Sequence, residues 1–166
     1  MGENDRTSDN HGGFRGVLSD IRLLLSDMLG LGKPDAERQM TIEVFFGMMG
    51  YVAKTDRLVS SHESSVANSV MDEIELSLAE REIASMAFDR GMSRNINPKA
   101  ELLRFTDTYK TGSEQIERLF DILVRLSASD GRLDTREYEA LKDIAKNLGL
   151  PATAVDNKLA LYTIKR

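Results

Sequence analysis

The residues best suited to chemistry are the acids of two short loops. One reads Asp56-Arg57-Leu58-Val59-Ser60-Ser61-His62-Glu63, the other Asp130-Gly131-Arg132-Leu133-Asp134-Thr135-Arg136-Glu137. Carboxylates spaced around a glycine suit a hard divalent cation. In the second loop Asp130, Gly131, Leu133, Asp134 and Glu137 fall where the later half of an EF-hand calcium loop would lie. Its two earlier ligand positions would be Leu126 and Ala128, whose side chains cannot ligate. In the first loop Arg57 replaces the glycine and Lys54 replaces a ligand. The expected metal residues are therefore Asp130, Asp134 and Glu137, with Asp56 and Glu63 forming a weaker set. The ion would be calcium or magnesium, weakly held, and no cofactor is required.

The same letters also serve as helix punctuation. Gly131 supplies a left-handed turn, Asp134 an N-cap, Glu137 its reciprocal partner and Leu133 a staple against Tyr138. Ser60 and Glu63 repeat the capping pattern. Capping leaves Asp56 and Asp130 unexplained, because each stands at a helix C-terminus, where a negative charge opposes the dipole. A structural turn and a weak cation site both stay open at this level.

Other chemistry has little to build on. There is no phosphate loop, no Gly-x-Ser-x-Gly elbow and no His-Glu-x-x-His pair. His11 and His62 are the only histidines and cysteine is absent, so thiolate zinc sites, disulfides and cysteine nucleophiles are excluded together. Hydrolysis by paired carboxylates would need two acids facing one cleft with separated pKa values, and nothing in the sequence places such a cleft. No enzyme is expected. A net charge of -5 argues against nucleic acid, whose binders cluster Lys and Arg. The best candidate surface is acidic, and a cysteine-free chain fits the cytoplasm.

The elements that must position these loops are helices. Proline occurs only at 34, 98 and 151, glycine gathers at breaks, and no stretch alternates with period two. Residues 1–13 read as a disordered tail and 14–166 as one all-α domain. Phe14, Val17, Leu18, Ile21, Leu24, Leu25 and Met28 make 14–31 an amphipathic helix. Arg15, Asp20, Arg22 and Asp27 interrupt it, and it is too short to span a bilayer. It is expected to pack on its own domain, with a membrane surface or a second copy as alternatives. Further helices are expected over about 35–54, 60–74, 77–91, 97–112, 113–128, 134–147 and 151–164. Ser77 with Glu80 forms a capping box, and Asn97 before Pro98 starts the next helix.

An offset of 74 residues superposes 42–76 on 116–150 without a gap. Ile42 meets Ile116, Phe46 meets Phe120, Asp56 meets Asp130 and Glu63 meets Glu137. The first helix of each half is apolar nearly all round and belongs in the centre; the second is one-sided and belongs outside. Phe46, Met49, Phe120 and Leu123 should be buried together. Gly47 and Gly50, within one helix, should allow a close helix approach, and Met48-Met49 should fill core.

Five segments in order, Phe45 to Lys54, the Asp-x-x-Val-x-x-x-Glu loop, Val70-Met71-Asp72, Ala87 to Ser93 and Ala128 to Leu133, resemble the TerB-like (tellurite-resistance) domain. The form most similar is that of the membrane-anchored DnaJ-type co-chaperone DjlA, and the resemblance covers about 41–161. It implies a bundle of seven or eight helices in two pseudo-symmetric helix-turn-helix halves, an acidic metal-binding surface, and links to tellurite and stress responses. Two departures stand out. A charged helix over 14–31 replaces the co-chaperone's spanning helix, and no His-Pro-Asp triplet or J domain precedes Arg166, so Hsp70 stimulation is not expected of this chain. A longer parent cut before its J domain would look the same. The expected function is a non-catalytic interaction or regulatory module, with an unknown protein partner and an optional cation. The alternatives are a passive homodimerising scaffold and the N-terminal part of a co-chaperone-like protein.

Overall fold

The computed structural model describes residues 15–23, 35–53, 60–129, 132–162 and 164, with positions 35 and 60–63 described by backbone alone. The described residues form eight helices: α1 (15–23), α2 (Asp35–Val52), α3 (Ser60–Glu73), α4 (Leu78–Met92), α5 (Pro98–Thr108), α6 (Glu114–Ser127), α7 (Thr135–Asn147) and α8 (Ala154–Leu161). This is the all-α bundle expected.

Helices α2 and α6 are central because almost every face of each is apolar. Ile42, Val44, Phe45, Phe46, Met48, Met49 and Val52 are buried on α2, as are Ile116, Leu119, Phe120, Ile122, Leu123, Val124 and Leu126 on α6. Phe46 and Phe120 are each 0% exposed, and Met49 and Leu123 face one small cleft, so the expected central quartet forms. Each buried aromatic ring contributes about 3 kcal/mol of transfer free energy. Helices α3 and α7 pack outside this pair; α5 joins α2 to α7, and α8 covers α6 and α7.

The repeat is visible atom by atom. Val66, Ala67, Val70 and Met71 are buried on α3, and Ala140, Leu141, Ile144 and Ala145, each 74 residues on, are buried on α7. Both helices end in the same Schellman-type motif. Leu76 N donates to Met71 O at 3.2 Å and Leu150 N to Ala145 O at 2.9 Å, while Glu75 N reaches Asp72 O at 3.2 Å and Gly149 N reaches Lys146 O at 3.1 Å. Glu75 and Gly149 both have positive φ, 54° and 76°.

Helix α4 lies on α2 through backbone. A Cβ on Gly50 would stand 2.1 Å from Phe88 O, and one on Gly91 2.2 Å from Gly47 O. The glycines of α2 therefore serve helix contact, as expected, with Gly91 as a partner the sequence did not single out. The capping box of Ser77 and Glu80 is present, and Asn97 caps α5, with Pro98 in its first turn.

Two ends differ from expectation. Helix α5 stops at Thr108 because Tyr109 turns extended and its ring packs on Phe105, centroids 4.9 Å apart; Gly112, φ 87°, then makes the turn closed by Ser113 N to Lys110 O at 3.0 Å. Helix α8 begins at Ala154, since Pro151 to Thr153 form a turn with Ala154 N on Pro151 O at 3.0 Å. On α1, Val17 and Ile21 enter the core, and Asp20 pairs with Arg125 of α6. Phe14, Leu24, Leu25 and Met28 lie outside the described residues.

Candidate functional site

The second loop delivers its acids to the start of α7. Asp134 Oδ1 accepts from Glu137 N at 2.8 Å, and Glu137 Oε1 accepts from Asp134 N at 3.2 Å, which is the reciprocal box that capping chemistry predicts. Leu133 and Tyr138 flank it, both buried, at the two positions of the staple. Asp134 is half-buried, whereas Glu137 is only 1% exposed. A carboxylate that deep must keep its hydrogen bonds, so Glu137 is committed to holding the helix start. It lines a narrow cleft of about 10 Å³ with Met49, Ala53, Leu123 and Ser127, room for about one water.

The remaining proposed metal residues cannot be placed beside it. Asp130 and Asp56 lie outside the described residues, and so does the side chain of Glu63. Among the described residues, no three His, Asp or Glu side chains come together in a way that could hold an ion. The donors that are described, Asp134 and Glu137, each give one oxygen to the cap, which suits a turn better than a coordination sphere.

Two polar clusters went unnoticed in the sequence because each joins distant segments. In the first, the Tyr51 hydroxyl donates to Asp143 Oδ2 at 3.3 Å across α2 and α7. Arg94 caps the same ring, its guanidinium 4.7 Å from the centroid and its Nη1 donating to Tyr51 O. Burial lowers the pKa of Arg94, with Arg136 adding to that and Tyr51 opposing it. Burial, followed by Asp143, raises that of Tyr51. In the second, Asp121 on α6 takes Lys158 Nζ at 3.1 Å and the Tyr162 hydroxyl at 2.7 Å, while Arg125 stacks on Tyr162 at 4.9 Å and pairs with Asp20. Burial and Asp121 push the Tyr162 hydroxyl up to about 12. Both clusters tie helices together.

Similarity to known proteins fits this geometry. The profile described as "Tellurite resistance protein TerB" matches residues 41–159, which begin in α2 and end in α8. Similar curated proteins include co-chaperone protein DjlA of Legionella pneumophila, 32% identical over 119 residues that cover 69% of this chain and 40% of that protein. DjlA of Shewanella oneidensis is 26% identical over 129 residues, covering 78% and 49%, and DjlA of Vibrio cholerae is 28% identical over 138 residues, covering 82% and 48%. The chain thus spans less than half the length of these relatives. No solved structure matches it. Among the described residues no helix is long and apolar enough to cross a membrane. A doubled helical bundle, matched from its first central helix to its last, places this chain in the TerB family, to which it belongs.

Proposed function

We propose that the chain is a non-catalytic interaction and regulatory module of the TerB type, the co-chaperone-related portion of a larger working unit. The observation that carries this is the matched stretch: it amounts to 40–49% of proteins named as co-chaperones, so whatever that stretch does there, it does as a part. A role in stress or tellurite response, in the cytoplasm, belongs to the same proposal and is supported by the family description and the cysteine-free sequence.

The test is a transplant. The matched segment of the Legionella co-chaperone is replaced by residues 41–159 of this chain, and co-chaperone activity is measured in that host. Retained activity supports the module; a chimera that folds and accumulates normally yet is inactive overturns it. The purified chain alone should leave an Hsp70 ATPase unaccelerated, since no His-Pro-Asp triplet is present.

The cation is a second, subordinate part. A divalent ion at Asp130, Asp134 and Glu137 would bind in the ~10⁻⁴ to 10⁻³ M class, because capping claims oxygens that ligation needs. Calorimetry with calcium and magnesium tests it.

A further inference from the structure

Where α7 ends, a groove of about 380 Å³ opens between the helix and the turn after it. Ala145, Leu150 and Pro151 give it an apolar floor, and Lys142 and Lys146, one turn apart and both exposed, stand on its rim. Asp143 also lines it, but its carboxylate accepts from Tyr51 on the α2 side. Neither lysine has a carboxylate partner among the described residues; Lys142 rests 5.4 Å over the Tyr138 ring. Like charges at this spacing repel, and an apolar floor beside them stays wet until something covers it.

The first half shows how the equivalent corner is closed there. There the position of Lys146 is held by Asp72, and Arg81 from α4 pairs with it at 2.7 Å while donating to Leu76 O at 3.2 Å, closing the corner from within. In the second half the charge at this position is inverted to lysine. The cation is in place, and among the described residues no carboxylate pairs with it. Lys146 also suits the C-terminus of α7, but a helix dipole accounts for neither Lys142 nor the groove.

We propose that this groove docks an acidic segment of a protein partner, its carboxylates meeting Lys142 and Lys146 and an apolar side chain lying on Ala145, Leu150 and Pro151. The proposal rests on the module reading above and names the surface that module uses. Its affinity should fall as salt rises, because the paired charges are at the rim.

The probes are three hexapeptides that alternate leucine with glutamate, glutamine or lysine, titrated into the ¹⁵N-labelled full chain. The glutamate peptide should shift amides around Lys142, Lys146 and Leu150. The double variant Lys142→Glu, Lys146→Glu should bind it at least about tenfold more weakly and favour the lysine peptide instead. Both substitutions are on exposed positions, and an unchanged melting temperature shows that folding is intact. Shifts elsewhere, equal affinity in the double variant, or no saturation by about 1 mM would overturn the proposal. So would self-association abolished by Lys146→Glu, which would assign the groove to a second copy. The transplant separates the two levels. A working chimera that keeps working with both lysines reversed removes the groove and leaves the module; a chimera inactive with wild-type lysines removes the module itself.

Discussion

In the first half of the domain α4 lies directly on α2, because Gly47, Gly50 and Gly91 clear the side chains from between the two backbones. In the second half Asp121 stands at the place of Gly47 and Val124 at that of Gly50, and α8 meets α6 through ions and a ring instead: Lys158, Tyr162 and, from α1, Asp20 through Arg125. The same two-helix frame thus receives its third helix through a close backbone fit plus the Arg38–Glu80 pair in one copy, and through buried Val155 and Leu159 plus surface charges in the other. Shape tolerates no added atom and ignores salt. Charge tolerates substitution but weakens with ionic strength, and in the second half the Asp20–Arg125 pair adds to the burial of Val17 and Ile21 in seating α1.

The largest effects should come from the frame both halves share. Phe120→Ala and Phe46→Ala each remove a fully buried ring and should cost about 3 to 5 kcal/mol by denaturant unfolding. A large cost at one and a small cost at the other would show that the halves are not equivalent where they appear most alike. Gly50→Ala should follow, at about 3 kcal/mol, since a methyl 2.1 Å from Phe88 O forces α4 off α2. A neutral Gly50→Ala would mean the glycine contact is not what joins the third helix.

Next come the caps. Asp134→Ala should cost about 0.5 to 2 kcal/mol through the lost cap of α7. Asp130→Asn, which removes a charge that follows α6 in the sequence, should be neutral or slightly stabilising if the loop is a turn only. If calcium or magnesium binds, Asp130→Asn should weaken it as much as Asp134→Ala does. No heat from wild type or variant up to millimolar ion would retire the cation.

Helix α4 also starts with a device that α8 lacks. Glu80 completes the Ser77 box and pairs with Arg38, whose Nη2 reaches Oε1 at 3.0 Å, whereas Thr153 gives α8 no side-chain cap. The hydrogen bond from Arg38 holds the Glu80 carboxyl down at about 2; the bonds at Ser77 add to this, and burial opposes it. A depressed carboxyl stabilises the fold above its unfolded pKa of about 4.3 and stops doing so as pH falls toward 2. After allowance for solvent screening, about 1 kcal/mol should disappear across that window and be missing in Glu80→Gln. Identical acid unfolding of wild type and Glu80→Gln would contradict it.

The frame was legible in the sequence because it is written in periodicity. The unbroken apolar runs around Phe46 and Phe120 and the constant 74-residue offset fix which helices are central, and glycine, proline and capping residues fix most helix starts. The loop chemistry was half legible: Asp134 and Glu137 signal their cap through local spacing, and that cap formed. What joins distant segments left no local trace. Tyr51 and Asp143, or Asp20 and Arg125, are separated by most of the chain, and no spacing rule connects them. The Lys142–Lys146 groove emerges only when each half is compared with the other in three dimensions.

The smallest predicted effect tests the repeat at a single torsion. Glu75 and Gly149 close the Schellman turns of α3 and α7 from equivalent positions, both at positive φ, but only one is glycine. A side chain in the left-handed region costs about 1 to 2 kcal/mol, and the extra freedom of glycine when unfolded returns about 0.5 to 1 of that. Glu75→Gly should therefore stabilise the domain by about 0.5 to 1 kcal/mol. Its mirror, Gly149→Ala, should destabilise by more than Glu75→Gly gains, because the new methyl would also stand 2.8 Å from Thr111 Cγ2. Paired denaturant midpoints decide the matter. A gain at 75 with a loss at 149 means one backbone turn is built twice from different residues. A loss at 75 would mean the Glu75 side chain contributes more where it stands than its torsion costs, and the equivalence of the two turns would end at the backbone.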